Sequence, residues 1–178
     1  MSFYIRTKVY NTGGYDDSAS RNSAIKFLKE VYDLNMVSTP PSKKLIDLVC
    51  EDDDTWGAEV EQSKKWEGNY WDAQNNGRNN LSGLGFKTIN CPWWRKSKYW
   101  DKDKHTGWNK NLYVRCNMDF TCFIVVKPEV ILDPEKCHIS FFKTFQIGTG
   151  EVEEWRCFKR EDVETWNLID GIWKINLK

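Results

Sequence analysis

Leu45–Trp66 reads LIDLVCEDDDTWGAEVEQSKKW, and its patterning decides how the rest of the chain is interpreted. Leu45 to Cys50 is an apolar run interrupted only by Asp47, and it predicts a strand. Glu51 to Gly57 is an acidic turn, and Ala58 to Ser63, alternating around Val60, predicts the return strand of a hairpin. Residues two apart on a strand share a face. Glu59 and Glu61 therefore project together, while Ala58 and Val60 point the other way. Pairing of the two strands brings Asp47 toward the two glutamates. Clustered carboxylates raise one another's proton affinity and are costly to desolvate. A hard divalent cation, Mg²⁺ or Mn²⁺, relieves both penalties. Without a cation the same residues make a solvated sheet face, with Asp47 paired to Lys43 or Lys44. A calcium-binding EF-hand is excluded, because Trp56 and Ser63 stand where its loop needs oxygen ligands, the last a bidentate glutamate.

Upstream of the hairpin, Ala24, Phe27, Leu28, Val31 and Leu34 recur at helical spacing and predict a helix from about Ser20 to Asn35. Downstream, Phe86–Cys91, Leu112–Cys116, Cys122–Lys127, Cys137–Phe142 and Trp155–Lys159 read as short strands. Short helices are expected from Pro128 and over Glu161–Trp166. A helix followed by strands with interspersed short helices implies an α+β fold with a mixed α/β core.

Between the third strand and the fourth lies a segment rich in Trp and Lys. Seven of the ten tryptophans fall between residues 56 and 108. From Cys91 to Arg115 there are seven basic residues against two acidic ones, a local charge of +5. Its centre, CPWWRKSKYW, carries Trp93, Trp94, Arg95, Lys96, Lys98 and Trp100, with Arg115 on the strand that follows. Cationic side chains neutralise phosphates and aromatic rings stack on bases, so these seven residues are the candidate nucleic-acid contacts. The alternative is a tryptophan pair in the core with solvated lysines around it.

The whole chain balances 26 basic against 26 acidic residues over 178 positions, which argues against indiscriminate binding to polyanions. The zero is a sum of the acidic hairpin, the basic segment and a C-terminal stretch, Glu151–Asp170, of charge −4. The length predicts a single domain over 1–178, with a core of about 20–130 and a C-terminal strand and helix extension over about 131–178. No apolar run approaches the roughly 20 residues of a membrane span. The N-terminus mixes Arg6 and Lys8 into an aromatic stretch, unlike a signal peptide. A cytoplasmic location is therefore expected, with the six cysteines reduced and buried.

An aspartate, a short loop, and Glu-x-Glu on the next strand, all after an N-terminal helix, resemble the PD-(D/E)XK nuclease superfamily. Asp47 matches its first carboxylate and Glu59 its second, with Glu61 at the usual lysine position. The chain departs from the pattern at Ile46, where many such families carry proline, and at Glu61, which is glutamate or glutamine in some restriction enzymes. The resemblance spans residues 20–130. It implies a restriction-endonuclease-like central mixed sheet flanked by helices, with the Trp/Lys-rich segment as an insertion. It further implies a divalent-metal-dependent endonuclease that hydrolyses DNA phosphodiester bonds, of a size that fits a small phage or bacterial enzyme. Under it Asp47 and Glu59 bind Mg²⁺ or Mn²⁺, and Glu61 orients a water or holds a second ion. Lys64 or Lys65 substitutes for the missing lysine, and Glu30 on the helix is a further candidate ligand. DNA is the implied partner, with a homodimer if both strands of a duplex are cut. Two other readings stay open: a nucleic-acid-binding protein that keeps the fold without catalysis, and a tryptophan-rich carbohydrate-binding module.

Overall fold

The computed structural model describes residues 17–39, 46–62, 84–87, 111–131, 133, 135–143 and 152–175. The side chains of 84–87, 138–143, 152–156 and 160 lie outside that description. So do Lys64, Lys65 and the whole basic segment from Cys91 to Lys110, and with them every candidate nucleic-acid contact except Arg115.

Helix α1 spans Ser18–Tyr32. Its apolar residues fall on one face, and Ala24, Phe27 and Leu28 are fully buried. The helix stops three residues short of the expected end because Asp33 adopts a left-handed conformation, φ 54°. The Leu34 amide then donates back to the Leu28 carbonyl, the bonding pattern that closes many helices.

The strands are β1 (Met36–Ser38), β2 (Leu48–Cys50), β3 (Gly57–Gln62), β4 (Leu84–Lys87), β5 (Asn111–Cys116) and β6 (Cys122–Val126). After the short helix α2 (Pro128–Ile131) come β7 (Cys137–Lys143) and β8 (Val152–Phe158). A 3₁₀ turn (Arg160–Asp162) then leads to β9 (Glu164–Ile169) and β10 (Ile172–Ile175). The fold is α+β. Seven strands form a mixed sheet in the order β1-β2-β3-β5-β6-β9-β10, antiparallel except for the parallel pair β3–β5. β4, β8 and β7 make a second, antiparallel sheet.

The central strands β5 and β6 are buried on both faces, as their nearly unbroken apolar runs demand. Alternation then sorts their side chains. Leu112, Val114, Cys116, Phe123 and Val125 face α1, where Phe27 stacks on Phe123 at 4.3 Å between ring centroids. Tyr113, Cys122, Ile124 and Val126 face the other way, onto Ile46, Val130, Ile131, Cys137 and Phe158. Cys50, Cys116, Cys122, Cys137 and Cys157 are all buried and free of disulfides, as small apolar residues would be.

Three sequence expectations are corrected. Asp47 lies in a bend just before β2, not inside a strand beginning at Leu45. The short strand β1 was not foreseen; it pairs antiparallel with β2, Val37 opposite Val49. The expected helix over Glu161–Trp166 is a single 3₁₀ turn followed by β9. There the buried Thr165 lies opposite Ile124 of β6, and sheet pairing outweighs local helix preference. β9 and β10 extend the main sheet, and Asp170 and Gly171, at φ 51° and 76°, supply the two left-handed residues of their tight turn. Trp166 and Trp173 pack against the α1 side of the core.

Gly57, the first residue of β3, is fixed by space. A Cβ there would sit 2.7 Å from Asn111 Oδ1, 2.8 Å from Ile46 Cδ1 and 3.2 Å from the Leu48 carbonyl oxygen. Gly57→Ala is expected to destabilise the fold by about 1–3 kcal/mol, the usual range for overpacking. The urea midpoint should fall with an unchanged slope.

Candidate metal and phosphodiester site

The hairpin register puts Leu48 opposite Ala58 and Val49 opposite Gly57. Continued by one residue, it sets Asp47 against Glu59. Gly57, Glu59 and Glu61 share the β3 face turned away from α1, and Ala58 packs into the α1 core with Val60 against it. This is the parity that the E-V-E spacing predicted. In register, Asp47 stands across from Glu59, and Glu61 lies two residues further along the same β3 face.

Asp47 is held from two sides. Its Oδ1 accepts a hydrogen bond from Arg21 Nη2 at 2.6 Å, and its Oδ2 accepts from the Val60 amide at 2.9 Å. Arg21 sits one turn into α1 and is committed elsewhere too. Its Nε donates to Asp17 Oδ2 at 2.8 Å, and its Nη1 donates to the Asp47 carbonyl at 3.0 Å and the Thr39 carbonyl at 3.4 Å. One guanidinium thus ties the start of the helix to the approach of β2. Despite this partner, burial pushes the Asp47 carboxyl above its ordinary range; the Val60 amide and Arg21 oppose that shift.

Glu59 is more extreme. The residue is partly exposed, yet Oε2 is sealed from solvent and has no hydrogen-bond partner among the described residues. Burial, and secondly the neighbouring Asp47 charge, push its carboxyl well above the usual carboxylate range. The Asp47 backbone amide and Arg21 pull the other way, and Glu61 adds to the rise. A buried acceptor without a donor is costly, and the Glu59–Asp47 pair is where a cation would be most stabilising.

Glu61 lies directly opposite Arg115 on the parallel neighbour β5. Arg115 Nη2 donates to Glu61 Oε2 at 2.8 Å, and the Arg115 side chain is only 9% exposed. Arg115 therefore pairs with a carboxylate of the site itself. Glu30 is not brought to the cluster. It accepts from Trp173 Nε1 at 2.7 Å, lies 3.8 Å from Lys26 Nζ, and is on the opposite side of the sheet, with α1. The acidic run Glu51–Asp54 forms the expected solvated turn, closed by Asp53 Oδ1 accepting from the Thr55 amide at 3.1 Å. Sequence reasoning missed Arg21 and Asp17, and offered Lys43 or Lys44 as the partner of Asp47. Asp17 and Arg21 stand four apart, a spacing that signals a helical ion pair, but nothing local indicates that Arg21 reaches 26 residues onward to Asp47.

Among the described residues, no group of three or more His, Cys, Asp or Glu side chains is arranged to hold a metal ion, and no helix is long and apolar enough to cross a membrane. The Asp47–Glu59 pair is nevertheless chemically suited to a hard cation. Both donors are carboxylates, Glu59 offers an unpartnered oxygen, and each Asp47 oxygen can accept more than the one hydrogen bond it receives. Mg²⁺ characteristically binds one or two carboxylates and keeps several waters. No family model matches the chain, and no curated protein matches its sequence.

Proposed function

We propose that the protein is a divalent-metal-dependent endonuclease acting on DNA, built on a restriction-endonuclease-like core. The observation that carries the reading is the Asp47–Glu59 pair. Two carboxylates stand across from each other at the end of the β2–β3 pairing away from its turn, and one oxygen is buried without a donor among the described residues. Such an arrangement is costly for the fold alone and useful to a cation-binding site. The N-terminal helix, the Asp47 hairpin with Glu-x-Glu on its second strand, and a central mixed sheet support the same reading.

In this reading Asp47 and Glu59 hold Mg²⁺ or Mn²⁺. Bound there, the ion would lower the pKa of a water and offset negative charge developing on the phosphate. Arg21 and the Val60 amide fix the Asp47 carboxylate so that it needs no reorientation to bind. The Trp/Lys-rich segment, Trp93 to Trp100, contacts the DNA. A homodimer would set two such sites against the two strands of a duplex.

The test is incubation with plasmid and with single-stranded DNA in Mg²⁺, Mn²⁺ or chelator. Cleavage that requires the metal is the expected result. A second reading, a DNA-binding protein of the same fold without catalysis, is favoured by one observation: Glu61, at the usual lysine position, is an anion neutralised by Arg115. Tight binding in chelator with intact DNA under both metals would select it.

A further inference from the structure

We draw no further inference here: the strongest candidate, the exposed apolar surface that Leu168, Ile169, Ile172 and Ile175 form on the β9–β10 hairpin at the edge of the seven-stranded sheet, carries nothing because nothing among the described residues shows what covers it.

Discussion

Glu59→Gln is expected to make the protein more stable and catalytically inert. At neutral pH the wild-type carboxyl is buried beside Asp47 with one oxygen unpartnered among the described residues, and ionising it there is unfavourable. The amide removes the charge and presents a donor toward Asp47. The gain should be about 1–3 kcal/mol, the range for a buried polar atom relieved of a missing partner. The pH dependence follows from the direction of the shift. Because the folded-state pKa lies well above the ordinary value of 4.5, the native chain binds more protons than the unfolded chain between those two limits. Stability therefore falls as pH rises through that window, and is fully retained below the ordinary carboxylate range. Denaturation midpoints across a pH series should show this descent in the wild type and a flattened profile in Glu59→Gln. Metal-dependent cleavage should drop at least about a hundredfold, since changes even in groups that only support a metal ligand cost 10–100-fold. A variant that is less stable than wild type at pH 7, or that cuts normally, would refute the role given to Glu59.

Arg21→Met should have the opposite effect on stability. Arg21 and Asp47 are 16% and 13% exposed, and the 2.6 Å bond between them is shielded from water. Removing the guanidinium leaves Asp47 charged and half-paired in a buried place, and strips donors from Asp17 and from two carbonyls. Breaking such a pair costs about 3–5 kcal/mol. The deficit should shrink at low pH. Burial already holds the Asp47 carboxyl above its ordinary range, and losing Arg21 raises it further, so protonation of Asp47 relieves the variant as pH falls. Adding Asp47→Asn should recover part of the loss, and a strictly additive double variant would show that the two side chains are not coupled.

The pieces legible in the sequence were those written in local periodicity. The α1 face followed from apolar spacing, and the E-V-E alternation placed two carboxylates on one face and Val60 on the other. β5 and β6 announced themselves as apolar runs between turns. What remained hidden depended on contacts distant in sequence. β1 is three residues long, too short for alternation to mark it. β9 carries Glu164, Thr165 and Trp166, and is a strand because β6 lies open beside it. The partner of Asp47 was sought among nearby lysines, whereas it comes from a helix that precedes the hairpin. Glu61 could be read as a site residue from its spacing. Its tie to Arg115 required knowing that β3 and β5 run parallel and in register.

That parallel pairing also bears on how quickly the chain finds its fold. The β2–β3 hairpin and the β5–β6 hairpin are each closed by short turns, but β3 and β5 are joined only through everything between Gln62 and Asn111. Bringing the ends of so long a span together costs about 3–4 kcal/mol of chain entropy before any contact is gained. Substitutions at Val60 and Val114, which meet across this seam, are therefore expected to slow folding if docking of the two halves is the barrier, and to speed unfolding alone if docking comes later. The residues that gather the carboxylates and Arg115 would then be assembled in the slowest step, so the candidate site exists only once the whole sheet does.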